Sequence, residues 1–300
     1  MDPLFRREQY DWVVSNGVTQ TVYTKDHARG VSDAARRLGV GAEVFVKVDT
    51  GLGRVGVRHG KAADLIVHVA GLHGVTVAGV FSTLSEDPEL DNVQLERLET
   101  LRDELKKRGI VVPSWSLASS NSVFHYPESY LTAVRPGLML FGIYPEPEDR
   151  EVGLELRQAL VFRARVETEK YIEAGETLTY SRRFVAPRRM RVGTLHVGYS
   201  DGFPRGLTNR GLVCVQGAVR EVLGSVSVNH VVVDLDGTKA LAGDIVELVT
   251  PDGECTLEKQ AARAGIMGYQ FCVGLNPMTP RVYVEGGEPV ALSEPRMEGL

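Results

Sequence analysis

The sequence is poor in cysteine and has neither a long apolar run nor a block of basic residues. Its three cysteines, Cys214, Cys255 and Cys272, are widely spaced without a CxxC pair, so neither a disulfide framework nor a cysteine zinc site is expected. No segment approaches the ~20 apolar residues of a membrane span. The formal net charge is −5, which disfavours nucleic acid as a partner. Together these absences predict a cytoplasmic protein without a metal ion, a membrane or a nucleic acid as partner.

The first half of the chain alternates strand-like and helix-like segments. In DHARGVSDAARRLG, Asp26 is the predicted N-cap and Gly39 the predicted end, and LDNVQLERLETLRDELKKRG has one apolar face. The strand patterns cover 19–24, 42–50, 75–83, 114–119 and 133–142. About five βα units with a parallel sheet follow from this alternation, fewer than a closed (β/α) barrel needs.

The second half is predicted to be mostly β. A proline- and acid-rich segment at 144–153 reads as a linker, and the strand-like segments after it are separated by turns. We therefore predict a partial (β/α) barrel over residues 1–146, a mostly β domain over 147–285 and a flexible tail over 286–300.

One strand, FVKVDTGLGRVGV, carries a lysine in an apolar run and an arginine after a glycine-rich turn. Lys47 would be buried, and a lone buried ammonium is costly unless it is paired or chemically changed. One interpretation is an ion pair between Lys47 and Asp49, with Arg54 on a solvated turn. The other is a functional site at the end of this strand.

The motifs KVDTGLGRVGV, AVRPGLMLFG, TYS and VGYSDGFPR occur in the order found in alanine racemases, and the chain resembles that family over nearly its whole length. The resemblance implies an incomplete (β/α) barrel followed by a mostly β C-terminal domain. It implies interconversion of L- and D-alanine by two-base proton transfer with pyridoxal 5'-phosphate. A homodimer with shared active sites is also implied.

The resemblance gives roles to three basic residues. Lys47 matches the lysine that the family carbamylates, and the resulting anion would pair with a guanidinium. Arg54 matches the arginine that contacts the phenolic oxygen of the cofactor and the substrate carboxylate. Arg135 matches the arginine facing the pyridine nitrogen, where a guanidinium donates a hydrogen bond and leaves that nitrogen unprotonated; the alternative is a surface ion pair.

Four further positions are matched by the resemblance. Ser120 and the backbone amides of Gly137 and Leu138 match groups that bind the cofactor phosphate, although a serine-rich loop alone is usually only a loop. Tyr180 matches the catalytic tyrosine, which acts from one subunit on the cofactor of the other. A free phenol loses its proton only near pH ~10, so such a tyrosine needs neighbouring cations or donors. A tyrosine at a strand end with no catalytic role is the alternative.

The sequence departs from the family at several site positions. Thr83 and Ser116 stand where histidines are usual, and Val228-Asn229 replaces a Met-Asp pair beside the substrate. No lysine has the sequence context of the family's cofactor lysine, so we expect the chain to begin after the family's third barrel strand.

Three interpretations follow from these departures. The chain is a racemase whose missing portion lies upstream or on a complementing chain, or it is an inactive binding or heterodimer subunit. The third interpretation is a racemase for another amino acid.

Overall fold

The computed structural model describes residues 3–294, and the chain divides into two compact units between Gly137 and Leu138. The unit Met1–Gly137 is α/β and the unit Leu138–Leu300 is mostly β. The predicted fold class, an α/β part followed by a mostly β part, is therefore confirmed. The division falls shortly before the boundary predicted at residue 146.

Helices and short parallel strands alternate in the first unit. Its helices are α1 (Arg7–Ser15), α2 (Lys25–Leu38), α3 (His59–Ala70), α4 (Pro88–Lys107) and α5 (Ser120–His125). Its strands are β1 (Gln20–Val22), β2 (Ala42–Asp49), β3 (Val57–Arg58), β4 (Val75–Phe81) and β5 (Ser114–Ser116). The parallel sheet has the order β1-β2-β4-β5, with β3 paired to β2 beside this path.

Local sequence explains the long helix α4. The Asp87 side chain accepts a hydrogen bond from the backbone N–H of Leu90 at 2.9 Å, and Pro88 occupies the first turn, where its missing N–H is tolerated. Leu98, Leu101 and Leu105 are buried at helical spacing and cover the sheet core.

The strand register brings four residues side by side at the carboxyl end of the sheet. Lys47 on β2 is paired with Phe81 on β4, and Phe81 with Ser116 on β5. An isolated parallel bridge joins Ser116 to Ala133. The carboxyl ends of parallel strands are where α/β proteins place their functional groups, so this row marks the candidate site.

Two local predictions in the first half are wrong. The N-cap of α2 is Thr24, whose hydroxyl accepts from the backbone N–H of His27, and Asp26 lies inside the first turn. The segment 133–142 forms a single bridge and then a short helical turn, Leu138–Phe141, in place of a strand. Pro136 supplies no N–H to a strand ladder, which explains why the pairing stops there.

The second unit is built around a closed six-stranded barrel with the order β10-β11-β12-β9-β6-β13. The strands of the whole unit, which include the six of the barrel, are β6 (Phe162–Ile172), β7 (Thr177–Leu178), β8 (Phe184–Val185), β9 (Met190–Leu195), β10 (Leu212–Val215), β11 (Ala218–Leu223), β12 (Val231–Asp234), β13 (Ile245–Val249), β14 (Arg281–Glu285) and β15 (Glu288–Ser293). Alternate residues of the barrel strands are buried in one apolar core. Closure leaves none of the six barrel strands with a free edge.

Two helices and a hairpin complete this unit. The helices α6 (Leu257–Ala264) and α7 (Gly268–Gly274) follow the barrel. Strands β14 and β15 pair through a two-residue turn at Gly286 and Gly287, which both have positive φ. This hairpin corrects the tail predicted from residue 286, while 295–300 lie outside the described residues. Among residues 3–294, no helix combines the length and apolarity needed to span a membrane.

Candidate active site

Lys47 is buried at the carboxyl end of β2, with only 2% of its surface exposed. Its Nζ donates a hydrogen bond to Thr83 Oγ1 at 2.6 Å and lies 4.9 Å from the ring centroid of Phe81. Within residues 3–294 it makes no ion pair with a carboxylate. A buried amine with only a hydroxyl and a ring face as partners is poorly compensated when charged.

Arg135 lies against the same aromatic ring. Its Cζ is 4.8 Å from the Phe81 centroid, and its guanidinium donates to Ser116 Oγ and, at 2.6 Å, to the carbonyl oxygen of Ser82. The described part of the chain supplies no carboxylate to Arg135 either. Two cations share one ring and lack an anion, so the cluster is suited to binding one.

Burial and neighbouring charge change the protonation of both groups. Burial, followed by the charges of Arg135 and Arg54, lowers the pKa of Lys47 to about 7 against the opposing effect of Asp49. Burial also lowers the pKa of Arg135 to about 10. At neutral pH, Arg135 stays charged and a substantial fraction of Lys47 is a neutral amine.

Asp49 shapes the glycine-rich turn and does not form the ion pair with Lys47 that we considered. Its Oδ1 accepts from the backbone N–H groups of Gly51 and Gly53 at 3.0 and 3.1 Å. Arg54 is exposed on this turn, where its charge acts on Lys47. The turn therefore holds a cation at the strand end, as an anion at Lys47 would require.

A polar network under the cluster fixes the residues around it. Thr50 Oγ1 and Ser82 Oγ are 2.7 Å apart, and the Gln94 side-chain amide donates to Thr50 Oγ1 at 3.0 Å and to the Thr83 carbonyl at 2.9 Å. Gln94 is fully buried on α4. These long-range contacts position the segment that carries Ser82 and Thr83 against Lys47 and Arg135.

Ser120 and Gly137 lie together, as the prediction of a phosphate site requires. The backbone N–H of Gly137 donates to Ser120 Oγ at 2.9 Å, at the first residue of α5. Leu138, the third predicted phosphate-binding residue, is the first residue of the second unit, where its side chain packs against the barrel core.

Tyr180 stands on a loop of unusual backbone conformation in the second unit. Thr179, Ser181 and Arg182 all have positive φ, at 62°, 60° and 52°, and the Tyr180 side chain is 75% exposed. The Ser225 backbone N–H donates to Thr179 Oγ1 at 2.7 Å. Several non-glycine residues in this backbone region persist only when the surrounding structure imposes it, and such strain concentrates at functional sites.

The predicted substrate-side residues lie on a loop that continues from Ser225. Val228 and Asn229 are exposed in the turn between β11 and β12. The carbonyl oxygen of Val228 accepts from the backbone N–H and the hydroxyl of Ser200 at 2.9 and 2.7 Å. Ser200 follows Tyr199 in the VGYSDG motif, so these contacts join the motif to the turn.

Two sequence models of one family match the chain. The model described as "Alanine racemase, N-terminal domain" matches residues 1–145, and "Alanine racemase, C-terminal domain" matches residues 159–283. The alanine racemase of Symbiobacterium thermophilum is 33% identical over 287 residues, which cover 93% of this chain and 75% of that protein. The chain belongs to the alanine racemase family.

Other alanine racemases agree with this membership. Alanine racemase 1 of Clostridium acetobutylicum is 28% identical over 94% of this chain and 75% of its own length. The solved alanine racemase of Clostridium difficile 630 superposes with a TM-score of 0.89 at 26% identity, over 97% of this chain and 77% of that one. The structure from the D-cycloserine producer Streptomyces lavendulae gives 0.86 at 28% identity, over 92% and 75%.

Several residues of the candidate site were not identified from sequence. Phe81, Ser82, Thr50 and Gln94 complete the surroundings of the two cations, yet they are ordinary residues in core and loop patterns. The positions that depart from the family, Thr83 and Ser116, contact Lys47 and Arg135 respectively. Only the strand register shows which of the remaining residues meet.

Proposed function

We propose that this chain is an alanine racemase that interconverts L- and D-alanine with pyridoxal 5'-phosphate. The observation that carries the proposal is the cluster of Lys47, Arg135 and Phe81, in which the amine and the guanidinium share a ring without a carboxylate. Family membership over nearly the whole chain supports the same activity.

Residues of this chain fit the cofactor at two of its ends. Arg135 has five N–H donors, of which Ser116 and Ser82 engage two, so the guanidinium can donate to a ring nitrogen. Ser120 and the amides of Gly137 and Leu138 are assigned to the phosphate. When bound, pyridoxal phosphate withdraws electrons from the Cα–H bond of the amino acid and acidifies that proton.

Arg135 determines which proton state the ring nitrogen has. Because its guanidinium remains charged at neutral pH and can only donate, it leaves that nitrogen unprotonated. With the cofactor bound, its ring would then withdraw electrons from Cα only moderately, which would favour removal and return of one proton. Arg54 binds the substrate carboxylate from the turn after β2 and orients the Cα–H bond.

Tyr180 holds or takes the proton at its Oη on one face of the substrate. Its strained loop fixes the backbone while the phenol remains exposed, which is suited to a group that acts on the site of a second copy. None of the lysines in this chain lies in the sequence context of the family's second base, so Tyr180 is the one member of the base pair that this chain assigns.

Three side chains at the predicted site differ from those usual in the family and bear on which amino acid is the substrate. Asn229 replaces a carboxylate with an amide, and Thr83 and Ser116 replace imidazoles with hydroxyls, which changes both charge and hydrogen bonding. A racemase for another amino acid is the second candidate that these positions favour.

The first prediction concerns turnover by the purified chain supplied with pyridoxal phosphate. We expect formation of D-alanine from L-alanine, measured by chiral chromatography, and a loss of about 10²–10⁴ in kcat in Tyr180→Phe because a positioned acid–base group is removed. Tyr171→Phe is the matched control. Tyr171 is an exposed tyrosine of β6 whose ring stacks with Arg189, and the change removes only its hydroxyl.

A panel of amino acids separates the two candidates. Racemisation of another amino acid and not of alanine would identify that amino acid as the substrate. If no amino acid is turned over, the proposed activity of this chain by itself is wrong, and addition of a complementing chain then separates a racemase subunit from an inactive binding subunit. Equal losses of kcat in Tyr180→Phe and Tyr171→Phe would show that Tyr180 has no catalytic role.

Lys47 carries a carbamate in this proposal. Its lowered pKa supplies the neutral amine that the modification needs: Nζ attacks the carbon of CO₂, an N–C bond forms, and one proton leaves to solvent. The product is an anion beside Arg54 and Arg135, so it removes the cost of a buried cation and provides the missing partner.

The second prediction tests this modification directly by ¹³C NMR in ¹³C-bicarbonate. We expect one carbamate signal that is stronger at pH 8 than at pH 6, since only the neutral amine reacts. Lys47→Met should abolish the signal, whereas Lys61→Met, at an exposed lysine of α3, should retain it. An undiminished signal in Lys47→Met, or none in the unaltered chain, would contradict the carbamate.

A cytoplasmic homodimer completes the proposal. The spacing of the cysteines suits a reducing compartment. Burial raises the pKa of the Cys255 and Cys272 thiols to about 11, which keeps them protonated and unreactive.

A further inference from the structure

We propose that Glu167, His196 and His230 form a binding site for one divalent transition-metal ion on the barrel of the second unit. The proposal is independent of the proposed racemase activity. It rests on three potential ligands that are distant in sequence but adjacent on the barrel surface.

Strand register places the three residues at one level of the barrel. Leu195 at the end of β9 is paired with Val166 on β6 and with Val231 on β12, and all three are buried. Because side chains alternate across a strand, the residues next to these three project outward. Those residues are Glu167, His196 and His230.

A β-bulge on β6 directs the carboxylate toward the histidines. The register between β6 and β9 shifts between Val166 and Thr168, which leaves Glu167 as the additional residue. Bulges re-aim a side chain relative to a regular ladder and are frequent beside functional sites. Glu167 Oε2 lies 2.8 Å from His230 Nε2 as a result.

The distances suit ligands of a single ion. The ring centroids of His196 and His230 are 5.4 Å apart, and one donor atom from each of the three side chains lies within 4.8 Å of the others. Metal–nitrogen and metal–oxygen bonds of about 2.0–2.2 Å in tetrahedral geometry place ligand atoms roughly 3.4 Å apart. The Glu167 and His230 atoms, at 2.8 Å, must therefore separate slightly, and a pair at the 4.8 Å limit must approach by roughly 1.4 Å. Since the three residues are partly exposed, side-chain rotation supplies this movement.

Backbone contacts hold both histidines in place. The His196 N–H donates to the Arg165 carbonyl at 3.2 Å, and the His230 carbonyl accepts from the backbone N–H and hydroxyl of Ser227 at 3.0 and 2.7 Å. The guanidinium of Arg165 donates to the Gly243 carbonyl at 2.9 Å. The basic side chain nearest in sequence to Glu167 is thus engaged elsewhere.

The ligand chemistry selects the class of metal. Two imidazoles and one carboxylate suit Zn²⁺, Co²⁺, Ni²⁺ or Cu²⁺ and are poor ligands for Mg²⁺ or Ca²⁺, which prefer oxygen. Three protein ligands on an exposed surface leave the remaining coordination positions to water. Binding replaces the His230–Glu167 hydrogen bond with metal–ligand bonds.

Isothermal titration calorimetry of the tag-free full chain with Zn²⁺ tests the site. We expect saturation at one equivalent, with affinity at least about ten-fold weaker in His196→Ala and His230→Ala, since even changes around a metal's ligands have effects of that size. Glu167→Gln should also weaken binding. His73→Ala is the matched control at an exposed histidine of the first unit and should bind like the unaltered chain.

Cobalt gives a second measurement that a nonspecific effect would not produce. Co²⁺ should give visible ligand-field bands that are lost in both histidine variants, and Zn²⁺ should raise the melting temperature of the unaltered chain but not of these variants. Absence of saturable binding would overturn the proposal, as would unchanged affinity in His196→Ala and His230→Ala. Matching circular dichroism spectra show that the variants are folded.

Discussion

At the residue scale, Lys47 shows how a single group can constrain an entire site. Its neighbours in β2 are apolar, its hydrogen-bond partner is the Thr83 hydroxyl, and its nearest charges include the cations Arg54 and Arg135. Burial and these two cations oppose protonation of Lys47, whereas Asp49 favours it. Groups whose pKa is shifted this far cluster at functional sites.

The third prediction is a pH dependence of stability that originates at Lys47. The unfolded chain holds this proton up to pH ~10.5, whereas the native amine loses it near pH 7. Between these values the unfolded state binds more protons, so stability rises with pH, by about 1 kcal/mol per pH unit. Below pH 7 both states are protonated and the contribution of Lys47 is at its lowest.

Urea unfolding in CO₂-free buffer from pH 6 to pH 9 measures this effect. Both tryptophans, Trp12 and the buried Trp115, belong to the first unit, so tryptophan fluorescence reports on the unit that contains Lys47. The rise should vanish in Lys47→Met and persist in Lys61→Met. Parallel pH profiles for the unaltered chain and Lys47→Met would show that Lys47 is not the source.

At the element scale, the loop that carries Tyr180 depends on one close approach. Gly224 has φ +77°, and a Cβ there would lie 2.3 Å from Thr179 Oγ1. Thr179 immediately precedes Tyr180, so Gly224 packs against the loop that carries the tyrosine. The geometry of this loop is thus determined by the adjoining end of β11.

The fourth prediction is that Gly224→Ala displaces the Tyr180 loop. We expect a loss of about 2–4 kcal/mol, part from the left-handed backbone and part from the clash, together with a fall in kcat. Gly217→Ala is the matched control, because Gly217 has φ +81° and a Cβ added there would meet nothing within 4 Å. It should lose only about 1 kcal/mol and keep its kcat, as measured by thermal melts and racemisation assays.

An equal loss in the two variants would mean that backbone strain alone accounts for the effect. An unchanged kcat in Gly224→Ala would separate the loop from catalysis.

The sequence predicts elements well where local chemistry decides them. The apolar spacing of α4 predicts that helix, and Gly39 ends α2 as expected, in the left-handed conformation. Helices α6 and α7 were missed because they follow a long series of strand patterns. Thr256 at the N-cap and Gly265 at the C-cap of α6 were the available signals.

Contacts between distant residues were beyond a sequence pattern. The hydrogen bond from Lys47 to Thr83 spans 36 positions, and the one from Arg135 to Ser82 spans 53. The resemblance assigned roles to Lys47 and Arg135 one at a time, but only the strand register shows that they share the Phe81 ring. The same holds for Glu167 on β6, His196 directly after β9 and His230 directly before β12, which no spacing rule connects.

At the scale of the whole molecule, the exposed Tyr180 and the cation cluster of the first unit lead to the fifth prediction. If Tyr180 of one subunit serves the Arg135 site of the other, Arg135→Gln and Tyr180→Phe damage different halves of each site. Mixing the two inactive variants, after unfolding and refolding together, should restore about one quarter of the normal activity, since half of the twofold-symmetric dimers are mixed and each has one intact site.

Recovery of activity on mixing is measured against each variant refolded alone. A mixture that remains inactive while size-exclusion chromatography shows dimers would place Tyr180 and Arg135 in the same subunit's site. A monomeric refolded protein would contradict the homodimer itself.

The order of the parallel sheet has a consequence for aggregation. Its outer strands, β1 and β5, are each three residues long, while the long strands β2 and β4 lie between them. An exposed strand edge recruits a strand from another chain in proportion to the length of backbone that it offers. The uncharged apolar sequence of β4, which matches the composition of amyloid-prone segments, is therefore kept away from intermolecular pairing by its position in the strand order, as is β2.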